Sequence, residues 1–267
     1  MTSEDTLPYN DLNVLITKED VEKITKFPIG DIMIYRTAMV HRSYCTRKNE
    51  NFLNGNIQCP PSHMPLQEES NERLEFLGDA VISLIIGRYL FERYPDDNEG
   101  FLTKMRTKLV NGNMLATMCD WIKLHSFIII SKQIEANSGR LNRKILEDTF
   151  EAFVGAMYID MGNSGENALQ KVEEWLINLI EDNIDFSELV ASNTNYKDMF
   201  IKHFQHAYNY LPKFYEVNSE TLNNGKIYTV CIKDNNRAII SMGKGKSKKY
   251  AENDAALNGL KYFGVSI

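Results

Sequence analysis

Apolar residues recur at three- and four-residue spacing through most of residues 17–184, which predicts a succession of helices. Thr17-Lys18-Glu19-Asp20 reads as a capped helix start ahead of Val21, Ile24 and Phe27. Residues 31–44 read as a second helix, with Ile32, Ile34, Ala38 and Val40 toward the core. The rhythm then fails over residues 45–70, where Gly55 and the Pro60-Pro61 pair sit among polar residues. That stretch reads as a long loop or insertion, unusual inside a compact domain. A long helix is predicted over 67–93, stopped at Tyr94-Pro95-Asp96-Asp97. Glu99-Gly100-Phe101-Leu102 opens another, and Asn111-Gly112-Asn113 punctuates before a helix over 114–121. An apolar run at 127–130 leads to a polar loop around Ser138-Gly139. Helical spacing returns over 144–160 and 172–184, and residues 185–194 read as a linker.

From residue 195 the period changes. Residues 196–208 keep a helical pattern, whereas 213–217, 226–233 and 237–242 carry alternating or β-branched residues, as strands do. Residues 247–263 are helical again, with Ser247 as N-cap. The expected order is α-β-β-β-α, following an all-α body. The expected domains are an N-terminal extension with a short helix (1–30), a helical domain (31–184, with the 45–70 insertion), the linker (185–194) and an α+β domain (195–267).

Composition supports a globular chain: 267 residues, 43% apolar and 25% charged, enough for one large domain or two ordinary ones. No apolar run reaches the roughly 18 residues of a membrane span. The start, Met1-Thr2-Ser3-Glu4-Asp5, has none of the features of a secretory signal. Cys45, Cys59, Cys119 and Cys231 are scattered, without metal-ligand spacing, and five histidines are too dispersed for a metal site. An intracellular, cytoplasmic location is the expectation. The net charge of −6 conceals an asymmetry: residues 195–267 hold 11 Lys/Arg against 6 Asp/Glu, while 1–194 hold 19 against 30. A basic module of the first kind suits a polyanion.

The acidic body carries the candidate chemistry. Glu72, Glu75 and Asp79 lie at i, i+3 and i+7, along one helical face in an otherwise apolar segment. Asp148 and Glu151 repeat the arrangement on the helix over 144–160, beside Gly155 and Ala156, which would let another helix approach closely. Desolvating several carboxylates costs several kcal/mol each unless a cation meets them. A divalent metal is the simplest such cation.

These motifs, in order, resemble the ribonuclease III family. Asn71-Glu72-Arg73-Leu74-Glu75-Phe76-Leu77-Gly78-Asp79 resembles the family signature. Asp148-Thr149-Phe150-Glu151-Ala152, with Gly155-Ala156 and Tyr158-Ile159-Asp160, resembles its second block. His41-Arg42-Ser43-Tyr44 and Glu99-Gly100-Phe101-Leu102 match two smaller elements, and Gly243-Lys244-Gly245-Lys246-Ser247-Lys248-Lys249-Tyr250-Ala251-Glu252 resembles the end of a double-stranded-RNA-binding domain. The resemblance implies an all-α nuclease domain followed by a small α+β RNA-binding domain. It implies an endoribonuclease that cuts double-stranded RNA as a homodimer, without a membrane, and leaves staggered ends with 5′-phosphate and 3′-hydroxyl. Two divalent ions, Mg²⁺ or substituting Mn²⁺, would be held by Glu75, Asp79, Asp148 and Glu151. Glu72, Glu99 and Lys144 would support the cleft, and Phe76 would pack into the partner subunit. Lys202, Lys244, Lys246, Lys248 and Lys249 would meet RNA. Two positions depart from the family: Ile201 stands where a polar residue is usual, and Leu222-Asn223-Asn224-Gly225-Lys226 replaces the usual first strand loop. Those departures predict salt-sensitive binding dominated by phosphate contacts.

Overall fold

A computed structural model describes residues 8–46, 59–165, 167–191, 196–222 and 225–265. It divides into two compact units, Met1–Asp185 and Phe186–Ile267.

The first unit is helical: α1 (Lys18–Thr25), α2 (Ile32–Ala38), α3 (Glu72–Arg93), α4 (Glu99–Leu109), α5 (Gly112–Trp121), α6 (Lys132–Ala136), α7 (Arg143–Asn163) and α8 (Ala168–Asn183). Short 3₁₀ turns occupy Arg42–Tyr44, Leu124–Phe127 and Gly139–Leu141. Helix α7 is the central rod: 13 of its 21 residues are buried, so it is apolar on nearly every side. Helices α2, α3, α5 and α8 pack around it. Phe150 and Phe153 of α7 meet Trp175 of α8, whose indole N–H donates to the Ile24 carbonyl at 3.1 Å. Asp160, at the far end of α7, is buried but accepts from the Gly30 and Asp31 amides and the Tyr35 hydroxyl. Its charge is therefore satisfied by the N-terminus of α2, a structural role.

Several boundaries differ from the pattern-based expectation. The helix expected over 31–44 stops at Ala38, because the chain turns at His41 to join Ile129. Its core positions are Tyr35, Ala38, Met39 and Val40, while Ile32 and Ile34 are only half-buried. The helix expected from 67 begins at Glu72. The N-terminal segment carries its short helix, α1, and packs on the helical unit: Tyr9, Ile16, Val21 and Ile29 are buried, and Asn10 donates to the Ile130 carbonyl. Of the 45–70 insertion, residues 47–58 lie outside the described residues. Its base is closed, with Thr46 donating to the Gln67 carbonyl and Gln67 to that of Tyr44.

In the second unit, part of the expected linker forms α9 (Phe186–Ala191). Then come α10 (Tyr196–Tyr208), β1 (Lys213–Leu222), β2 (Gly225–Lys233), β3 (Ile239–Gly245) and α11 (Lys248–Tyr262). The strands form an antiparallel sheet in the order β1-β2-β3, with a register shift at Val217. Phe200, Phe204, Val230, Ile232, Ala255 and Leu260 make its core between one sheet face and the two long helices. No described helix is long and apolar enough to cross a membrane.

Candidate metal centre and nucleic-acid interface

The centre is built on a contact between two glycines. Gly78 of α3 lies against the Glu151 carbonyl of α7, and Gly155 of α7 lies against the Leu74 carbonyl of α3. A Cβ at either position would collide with backbone, so only glycine permits this approach. The carboxylates flank the crossing: Glu75 and Asp79 around Gly78, Glu151 one turn and Asp148 two turns before Gly155. The crossing thus converts two separate sequence motifs into one site. Replacing Gly78 by Ala is expected to cost at least about 1–3 kcal/mol by overpacking. It should also weaken divalent-ion binding by prising the carboxylates apart, measurable as a lower Tm with a smaller Mg²⁺-induced rise in Tm.

Oxygens of Glu75, Asp148 and Glu151 all lie within 4.8 Å of one another. Asp79 stands outside this trio and is exposed, but lines the same open cavity of about 480 Å³ together with Glu72, Glu75, Phe76, Lys144, Glu147 and Glu151. Burial pushes the Glu151 carboxyl up to about 8, reinforced by the charges of Asp79, Glu147 and Glu75. Burial and the neighbouring Asp148 push Glu75 up as well. Lys144 partly compensates: its Nζ is 2.7 Å from Asp148, 3.6 Å from Glu147 and 3.9 Å from Glu75. Among the described residues, the Lys144 ammonium is thus the one cation that meets Asp148, on its Oδ1. One lysine against Glu75, Glu147, Asp148 and Glu151 leaves an all-oxygen cluster short of positive charge, which suits a hard divalent cation.

The surrounding residues fall into place unevenly. Glu72 lines the cavity and sits 3.6 Å from Arg42. The chain around the His41-Arg42-Ser43 turn holds two helix starts: the Asn71 amide ahead of α3 donates to the Val40 carbonyl, and the Ser131 amide ahead of α6 donates to Ser43 Oγ. Glu99 does not line the cavity; it opens α4 and accepts from Thr103 Oγ1 at 2.7 Å. Glu147 was not singled out from the sequence. It precedes Glu151 by one helical turn, a spacing that could have flagged it, and its carboxylate rests against Gly112 at the start of α5. Phe76 is 82% exposed. With Ala80, Leu84, Gly87 and Phe91 it forms a stripe down α3 beside the acidic face, and Leu84 and Phe91 are 56% and 69% exposed.

In the second unit, Ser247 caps α11 and accepts from the Tyr250 amide, placing Lys248 and Lys249 in the first turn. Lys246 is exposed just before the cap, and Lys202 is exposed on α10. Lys248 also approaches Glu216 at 3.4 Å. Lys244 is set apart. Its neighbour Gly243 lies against α11, and the Ser241 hydroxyl donates to the Ala255 carbonyl, so alternation turns Lys244 to the opposite sheet face. Ile201 is half-buried on α10, and Asn223 and Asn224 of the altered strand loop lie outside the described residues.

Comparison with known proteins agrees with this division. Residues 72–162 match the model of the ribonuclease III domain, and residues 196–263 that of the double-stranded RNA binding motif. "Ribonuclease 3" of Nitratiruptor sp. is 32% identical over 91% of this chain and 95% of its own. "Probable ribonuclease 3" of Acanthamoeba polyphaga mimivirus is 36% identical over 93% of this chain, which spans only 46% of that longer protein. The nuclease domain of ribonuclease III from Campylobacter jejuni superposes with a TM-score of 0.50 at 30% identity, covering 63% of this chain and 99% of that one. With the domain order, the helical fold and the acidic cluster in agreement, the chain belongs to the ribonuclease III family of endoribonucleases.

Proposed function

We propose that this chain is a homodimeric, Mg²⁺-dependent endoribonuclease that hydrolyses double-stranded RNA by a two-metal mechanism, leaving staggered ends with 5′-phosphate and 3′-hydroxyl. Mn²⁺ substitutes for Mg²⁺. The observation that carries this reading is the close cluster of Glu75, Asp148 and Glu151, half-buried to buried with a single lysine against it, in a chain that also has a double-stranded RNA binding motif. Glu75, Asp148 and Glu151 hold the cations, and Asp79 joins them from the exposed side of the cavity. When bound, the ions supply a nucleophilic water near neutral pH and neutralise charge on the reacting phosphate. The open cavity leaves room for a strand to enter. Lys144 holds the carboxylates together by charge and turns toward a phosphate oxygen when the strand arrives. Glu72, fixed near Arg42, borders the entry, and Glu99 supports from the start of α4. The exposed Phe76 packs against a second subunit, so each dimer presents two centres, one for each RNA strand.

The test is incubation of long duplex RNA with the protein, with Mg²⁺ and with chelator. Duplex left whole in Mg²⁺ refutes the enzyme reading, and cutting that persists in chelator refutes metal dependence. RNA binding by Lys202, Lys246, Lys248 and Lys249, with Lys244 on the opposite sheet face adding only long-range charge, carries its own prediction. Duplex affinity falls steeply with added salt, and Lys249→Ala lowers the slope of log affinity against log salt by about 1. Fluorescence anisotropy over a salt series measures it. A shallow slope in the unsubstituted chain would argue that groove contacts dominate instead.

A further inference from the structure

A second cleft in the helical unit shares no lining residue with the acidic cavity. It measures about 470 Å³ and lies where the end of α1 meets the end of α5, with Asp20, Lys23, Lys26, Trp121, Lys123 and Phe127 among its walls. That volume falls in the range of small-molecule sites.

Its charge runs against its surroundings. Residues 1–194 carry 19 Lys/Arg against 30 Asp/Glu, yet three lysines converge here. Among the described residues, none of the three has a carboxylate within ion-pair distance, unlike Lys18, Lys144, Lys197 and Lys248. Asp20, the one acidic residue on the cleft wall, is engaged by the α1 cap. Its Oδ2 accepts from the Thr17 amide at 3.1 Å and the Thr17 hydroxyl at 2.7 Å.

The backbone gives an independent observation. Lys26 closes α1 at φ 63°, and Lys123 follows α5 at φ 59°. Both are left-handed positions at helix ends, where glycine is least strained and a side chain meets a steric penalty. Of the five non-glycine residues at positive φ among the described residues, two are lysines lining this one cleft. Trp121 and Phe127, both half-buried, supply flat apolar walls beside the cations.

We propose that this cleft binds a 5′-phosphorylated nucleotide, the phosphate among Lys23, Lys26 and Lys123 and the base against the Trp121–Phe127 wall. Free nucleotide and the 5′-terminal nucleotide of a single-stranded RNA present the same chemistry. Calorimetric titration of the full chain with AMP, adenosine and a 5′-phosphorylated pentanucleotide distinguishes them. AMP or the pentanucleotide binds, adenosine binds at least roughly tenfold more weakly than AMP, and Lys26→Gly and Lys123→Gly each weaken binding roughly tenfold. Both glycine variants hold or raise Tm, because the strained side chain is gone. Lys23→Gln, on regular helix, repeats the loss without touching the left-handed positions. Duplex cleavage without added nucleotide is unchanged in all three. Binding of AMP identifies free nucleotide as a ligand, and binding of the pentanucleotide alone identifies an RNA end. Failure of both to bind at about 1 mM, adenosine binding as well as AMP, or unchanged affinity in the lysine variants overturns the proposal.

Discussion

Glu151→Gln is expected to leave duplex RNA uncut in Mg²⁺ while making the metal-free protein more stable at alkaline pH. Losing one anionic ligand from a cluster of three should lower turnover on the order of 10²-fold or more, above the 10- to 100-fold typical of outer-shell partners. The stability gain follows from the sign of the pKa shift. Burial, with Asp79, Glu147 and Glu75 nearby, pushes the Glu151 carboxyl up to about 8. A solvated glutamate titrates near about 4.3. Between those values the folded chain binds the proton that the unfolded chain has lost. Stability is therefore fully present below about 4.3 and is lost as pH rises through about 8. Glutamine removes that loss. Thermal melts of the metal-free proteins should coincide near pH 4 and diverge by several degrees at pH 8.5, the variant melting higher. Mg²⁺ should raise the Tm of the unsubstituted chain most at high pH and that of the variant much less. Equal melting at pH 8.5 would mean that Glu151 is better solvated than its burial implies. Cleavage as fast as in the unsubstituted chain would remove Glu151 from the site.

Phe76→Ala is expected to convert the protein to monomer at micromolar concentration and to cost cleavage at the same time. Phe76, Leu84 and Phe91 are all large, apolar and more than half exposed on one stripe of α3. A face of that kind on a single subunit marks an interface. Burying a phenylalanine contributes about 1.5–3 kcal/mol, and a twofold dimer counts it twice. Dimer dissociation should therefore shift by roughly 10²- to 10⁴-fold. Sedimentation across a concentration series measures the shift directly. Phe76 also lines the acidic cavity, so its packing and the wall of that cavity are one surface. Activity should recover in part when the variant is concentrated enough to dimerise. A variant that stays dimeric at nanomolar concentration would place the interface elsewhere.

Much of this molecule was legible along the chain because its signals are local. The 3.6-residue period marked α3, α7, α8 and α10, and the alternation after residue 212 marked the sheet. Caps were readable because they need one side chain and one nearby amide: Thr17 makes a full capping box, and Ser247 closes on Tyr250. Charge spacing placed Glu75 and Asp79 on one helix and Asp148 and Glu151 on another, and the motif order pointed to the family. What periodicity could not supply was every contact between distant segments. That residues 8–30 belong to the first unit depends on Asn10 reaching Ile130 and on Trp175 reaching Ile24. That Glu147 joins the cavity while Asp79 stays outside the close trio depends on how α3 and α7 cross, set by Gly78 and Gly155. That Lys244 faces away from α11 depends on strand pleat and on Gly243 pressed against that helix. The sequence by itself determined which residue types lie on which face of each element, because side-chain direction follows the local period. Tertiary structure alone decided which faces meet and how far each carboxylate is desolvated, because both follow from packing between segments far apart in the chain.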